Sequence, residues 1–184
     1  MTDDPAWPLA QRVCRSGYGD LPASAVESAR RDILDTFGCM LGGSGSPGID
    51  ELFAVTSRWG GLPESRVLLR GSRLPAPQAA LLNASTGCAR CRRHTGYRRI
   101  RSPRRLCVGL DIAMCDSLDG VTGQDVLSAV ALGLDISCRI ALASTVDRGW
   151  HRTATIGVFG ATAAAGKLIG LTPQQFWVLR TVSA

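Results

Sequence analysis

The side chains with the most chemical capacity in this 184-residue sequence fall largely together. Cys88-x-x-Cys91, His94 and Cys107 are thiolate and imidazole donors of the kind that hold zinc tetrahedrally. Among them lie eight of the twenty arginines, all between Arg90 and Arg105, with Tyr97 in their midst. Such a run can neutralise the phosphates of a nucleic acid. The second of the two histidines, His151, stands alone in Gly149-Trp150-His151-Arg152-Thr153. A lone imidazole titrates near neutral pH and serves either as a proton shuttle or as an ordinary structural residue. The cysteine spacing matches no common zinc finger, and charge runs are commonly solvated segments. Neither a metal site nor specific nucleic-acid binding is therefore expected.

Charge and composition sharpen the contrast. The chain carries 21 basic and 15 acidic side chains, a net charge of +6. The stretch Cys88–Cys107 contains no Asp or Glu, and without it the remainder carries a net charge of −2. The flanks are rich in Ala, Leu and Val, so the basic stretch is foreign to them in composition. No run approaches the roughly 18 consecutive apolar residues of a membrane span. The acidic N-terminus, Met1-Thr2-Asp3-Asp4-Pro5, lacks the apolar core of a signal peptide. A cytoplasmic protein with reduced thiols is expected, without a membrane and without a disulfide framework.

The elements that must position these residues read as helices. Pro22-Ala23-Ser24 with Glu27 marks a helix start, and Val26, Ala29, Ile33, Leu34, Phe37 and Met40 follow at helical spacing. Gly42-Gly43 predicts a left-handed C-cap. Ile49–Trp59 predicts a second helix, Arg66–Leu69 a short strand or extended connector, Pro75–Asn83 a helix with proline in its first turn, and Leu110–Leu118 a short helix. Thr122 and Asp125 cap a long segment, Val126–Ala143, that is apolar on nearly every face, as in the core of a large helical protein. Thr153–Ile169 is rich in Ala and Gly, which permits close helix approach. Gly157-Val158-Phe159-Gly160 within it lacks the Gly-x-x-x-x-Gly-Lys pattern of a phosphate loop. Thr172, Pro173 and Gln175 start a last helix, which is expected to run to the end of the chain.

Four segments in order resemble the MmgE/PrpD family, which includes 2-methylcitrate dehydratase, cis-aconitate decarboxylase and iminodisuccinate epimerase. They are Arg31–Cys39 (RDILDTFGC), Leu74–Asn83 (LPAPQAALLN), Gly120–Ile140, and Gly149–Leu171 with its GWHRT start and AGKLIGL end. The resemblance implies an all-α main domain, of which this chain is an incomplete N-terminal part (1–184), without the smaller α+β domain that follows in full-length members. It also implies a homodimer in those members, and a lyase that dehydrates, decarboxylates or epimerises a small polycarboxylate by acid–base chemistry, with no cofactor and no metal. His151 matches the histidine of the family's active-site "GFHPT" and is the one catalytic residue carried over. Lys167 matches a helical lysine that reads as a surface residue.

The resemblance breaks where the family carries an "ALDFDDTH" motif and then a His-Pro pair. Here Cys88-Ala89-Arg90-Cys91-Arg92-Arg93-His94-Thr95 and Arg101-Ser102-Pro103-Arg104 stand instead. Codons for Cys88–Thr95 read one nucleotide later permit Ala-Leu-Asp-Val-Asp-Asp-Thr, and the same offset over Ser102–Arg104 permits His-Pro. One offset thus restores both motifs in order. The expectation is a segment, Cys88–Cys107, read out of frame through compensating insertion and deletion, irregular or disordered in the folded chain, in a product that is inactive. Two alternatives remain: a basic nucleic-acid-binding module using Arg90–Arg105, and a non-catalytic helical partner of a separately encoded C-terminal half.

Overall fold

A computed structural model describes residues 4–89, 103–144 and 152–182. The fold is all-α, with eight helices and one small hairpin among the described residues. The helices are α1 (Ala6–Arg15), α2 (Ala23–Gly43), α3 (Ile49–Arg58), α4 (Ala76–Ala89), α5 (Pro103–Ser117), α6 (Gly123–Ala143), α7 (Arg152–Leu168) and α8 (Pro173–Val182). The antiparallel strands β1 (Ser65–Val67) and β2 (Ser72–Leu74) lie between α3 and α4, with Arg66 opposite Arg73.

The central helix is α6. Its start is set locally: the Thr122 hydroxyl accepts the Asp125 N–H at 3.3 Å, and the Asp125 carboxylate accepts the Thr122 N–H at 2.9 Å. Thr172 and Gln175 do the same for α8, at 3.3 and 2.8 Å. With 21 apolar-rich residues, α6 has the length and composition of a membrane-spanning helix, which corrects the expectation that no stretch approaches one. Its surroundings are those of a core helix: Ala129, Val130, Leu132 and Ile136 are buried against α5 and α7.

Glycine sets the closest approach between α6 and α7. A Cβ on Gly133 would sit 2.6 Å from the Gly160 carbonyl oxygen and 3.0 Å from the Ala164 Cβ, so only glycine lets the backbones meet. Gly160 thus offers its carbonyl to a helix–helix contact.

Several boundaries differ from the sequence reading for identifiable reasons. Helix α2 starts beside Pro22, whose carbonyl accepts the Ala25 and Val26 N–H groups. Ser24 therefore lies inside the first turn, and Glu27 pairs with Arg31 at 2.9 Å instead of capping. At the other end the C-cap is Ser44 in right-handed geometry. Gly43 is needed for contact: a Cβ there would lie 2.1 Å from the Thr86 carbonyl oxygen of α4. The left-handed glycine is Gly48, which opens α3. Helix α1 has no counterpart in the sequence reading. Helix α4 runs through Cys88 and Ala89, and α5 begins at Pro103, so helices enter both ends of the stretch expected to be irregular.

Candidate functional site

Most of the chemistry singled out from sequence lies outside the described residues, although Cys88 falls in α4 and Arg104, Arg105 and Cys107 fall in α5. His151 lies outside the described residues, as do Arg90–Arg101 with Cys91, His94 and Tyr97. The structure shows which helices hold the ends of those segments. Gly109 of α5 packs on the Ala84 backbone of α4, where an added Cβ would meet nitrogen at 2.8 Å. That contact lies six residues after the start of α5 and five before the end of α4, so the two run antiparallel. Gly133 and Gly160 are likewise ten residues before the end of α6 and eight after the start of α7, which makes that pair antiparallel too. Between them, α5 and α6 are joined by the short connection 118–122 and share the cluster of Val108 and Val130. The up-down-up-down order places the ends of α4 and α6 and the starts of α5 and α7 at one end of the bundle.

At that end α5 and α7 both begin. Neither first turn carries an acidic residue, and their sequences supply Arg104, Arg105 and Arg152. Helix N-termini present unpaired N–H groups and a partial positive charge, which favour anions. His151 directly precedes α7 in the chain. The ends of α4 and α6 lie beside these two starts, so the helix dipoles there largely offset one another.

One buried acid near this region was not anticipated. Asp111 lies eight residues into α5 and is fully buried, and neither carboxyl oxygen has a hydrogen-bond partner among the described residues. Burial pushes its carboxyl well above the usual carboxylate range. Cys115, one turn on, is pushed up to about 11, chiefly by burial and then by Asp111. The only sequence signal was an acid flanked by Leu110 and Ile112 and in helical register with Val108 and Cys115.

Other polar residues of the matched motifs have structural partners. Asn83 of the ALLN segment is buried, accepts the Leu68 N–H at 2.9 Å and donates to the Arg66 carbonyl at 3.2 Å, so it bolts the hairpin to α4. Ser65 donates to the Ala113 carbonyl at 2.6 Å, and Arg66 clasps Asp116 with contacts of 2.7–3.1 Å, holding the hairpin to α5. Lys167 is half-buried and donates to the Cys14 carbonyl at 3.3 Å near the end of α1, a packing role more specific than that of a free surface lysine. No disulfide joins Cys14, Cys39, Cys88, Cys115 or Cys138. No cluster of three or more metal-binding side chains occurs among the described residues.

The matched motifs follow one another along an all-α chain, as in an N-terminal helical domain of the MmgE/PrpD type. The MmgE/PrpD N-terminal domain profile matches residues 8–178, and the chain belongs to that family. It is similar to cis-aconitate decarboxylase of Aspergillus terreus, with 25% identity over 164 residues covering 85% of this chain and 34% of that protein. It is also similar to the cis-aconitate decarboxylase-like protein oryM of Aspergillus oryzae, with 29% identity over 168 residues and the same coverage. The chain spans about a third of the length of these relatives.

Proposed function

We propose that this chain derives from an MmgE/PrpD-type lyase acting on a small polycarboxylate such as cis-aconitate or 2-methylcitrate, and that it is itself inactive. The observation that carries the lineage is the match over residues 8–178, which spans the His151 motif. The two segments in which the family carries its site motifs join α4 to α5 and α6 to α7, whose facing ends lie at one end of the bundle, which supports a shared site there. In that setting His151 exchanges the proton at the carbon next to a carboxylate, as a neutral imidazole can near pH 7. Loss of hydroxide or carbon dioxide would follow.

Inactivity follows from Cys88–Thr95. No aspartate stands where the family carries its Asp-Asp-Thr motif, and arginines occupy the segment instead. The motif's carboxylates that would act with His151 are therefore missing. We also propose that the stretch is read out of frame. Turnover of cis-aconitate and of 2-methylcitrate by the purified chain is the test, run beside a His151→Ala variant. The two proteins should be indistinguishable from buffer. Turnover by the parent chain that the variant abolishes would refute inactivity. The gene's nucleotide sequence tests the frame: without codons for Asp-Asp-Thr and His-Pro in the shifted frame, the frameshift reading fails.

A further inference from the structure

The apolar cluster joining α1, α6, α7 and α8 opens to solvent as a groove of about 510 Å³. Leu9, Val13, Ile140, Phe159 and Phe176 form its walls. Its hollow exists because small residues line the rest, among them Ala10, Ala143, Thr162 and Ala163, leaving space that larger side chains would fill. The volume lies within the ~300–1,000 Å³ typical of small-molecule sites, and a nearly all-apolar lining with few polar groups is their usual character.

The polar feature of the groove is cationic. Arg139 lines it, and its Nε donates to Asp135 at 2.8 Å. Arg12 donates to the same Asp135 oxygen at 2.9 Å. Two guanidinium groups thus share one carboxylate, leaving one positive charge in excess and further N–H donors on both. Each arginine side chain is about half exposed, at 49% and 50%, and so is accessible to a ligand head group. Burial works to raise the Asp135 carboxyl, but hydrogen bonds from Arg139 and Arg12 outweigh it and keep it ionised. At the Pro5 end, Asp4 is already engaged, accepting the Ala6 N–H at 2.9 Å and the Trp177 Nε1–H at 3.1 Å. Charge complementarity therefore selects an anion at the Arg139 end and an apolar body along the groove.

We infer that the groove between α1, α6, α7 and α8 binds a free medium-chain fatty acid, with its carboxylate on Arg139 and its tail between Leu9 and Phe159. The site does not depend on the lyase reading. The test is calorimetric titration of the intact chain, at low salt, with decanoate, decanol and decyltrimethylammonium. Decanoate should bind about tenfold more tightly than decanol, the margin of one charge-assisted contact, and the cationic amphiphile should not bind. Arg139→Gln should lower decanoate affinity about tenfold, to the level of decanol, and leave decanol unchanged. Arg12 still pairs with Asp135 in that variant, so the thermal transition should stay in place. Thr162→Trp, which fills the half-exposed wall, should block decanoate and decanol alike. Equal affinity for decanoate and decanol, indifference of decanoate to Arg139→Gln, or no binding of either would overturn the assignment. So would sedimentation showing a dimer that Thr162→Trp dissociates, because the groove would then be covered by a second copy.

Discussion

Asp111 makes the protein's stability depend on pH in the direction opposite to its exposed carboxylates. Buried without a partner among the described residues, it has a folded-state pKa above its unfolded value near 3.9. The native state therefore holds a proton that the unfolded chain releases, and stability falls as pH rises above about 4 until the folded pKa is reached. The slope approaches ~1.4 kcal/mol per pH unit for one proton. Asp116 acts the other way. Its carboxyl is held low by the Arg66 hydrogen bond, so the stability it supplies is present above the unfolded pKa and lost as pH falls through the folded one. Replacing Asp111 by Asn removes the titrating group at nearly constant volume. Urea unfolding from pH 5 to 8 should show falling stability in the parent chain and a flatter profile in Asp111→Asn. Parallel profiles would mean that Asp111 is not protonated in the folded state.

Glycine sensitivity distinguishes packing from propensity at the scale of the helix. Gly38 lies within α2, and a Cβ added there would meet nothing within 4 Å, so Gly38→Ala should stabilise by about 0.5–1 kcal/mol through helix propensity alone. Gly133→Ala makes the same chemical change in α6, but its Cβ would meet the Gly160 carbonyl at 2.6 Å. There the helices must part, at a cost of about 1–3 kcal/mol, typical of overpacking. Thermal melts of the two variants should shift in opposite directions; a shared direction would show that α6 and α7 are not in register at this crossing. The same division explains what the sequence made legible. The starts of α6 and α8 depend on residues three apart, Thr122 with Asp125 and Thr172 with Gln175, and local spacing is enough to find them. Helix α1 begins with Ala6, Trp7 and Pro8 and is stabilised by Leu9, Ala10 and Val13 against residues from Ile136 to Phe176, more than 120 positions away. The hairpin likewise depends on Asn83, Ala113 and Asp116. Asp111 was hidden for the same reason: an acid in a helix shows nothing of its burial until α4, α6 and α7 enclose α5. The family motifs located His151 in the chain, whereas the geometry around it lies outside the described residues.

Across the whole molecule, net charge and apolar exposure pull in opposite directions on solubility. A charge of +6 opposes association, but eight of the arginines lie in Cys88–Cys107, and the remainder carries only −2. Repulsion is therefore weak beyond a screening length of about 8 Å from that stretch. Helix α2 presents Leu34 at 73% exposure and Leu41 at 63%, with Phe37 between them on the same face. Exposed apolar stripes of this kind favour association. Local attraction should win, and the isolated chain should associate in a concentration-dependent way. Leu34→Glu with Leu41→Glu places carboxylates on the stripe without touching the buried residues Ala29, Met40 and Gly43, and exposed changes of this kind cost about 0.5 kcal/mol or less. Light scattering should show a higher soluble fraction, with the melting temperature of the soluble protein nearly unchanged. If the double variant associates as strongly as the parent, the attraction lies elsewhere, and exposed Leu142 at the end of α6 becomes the next surface to alter.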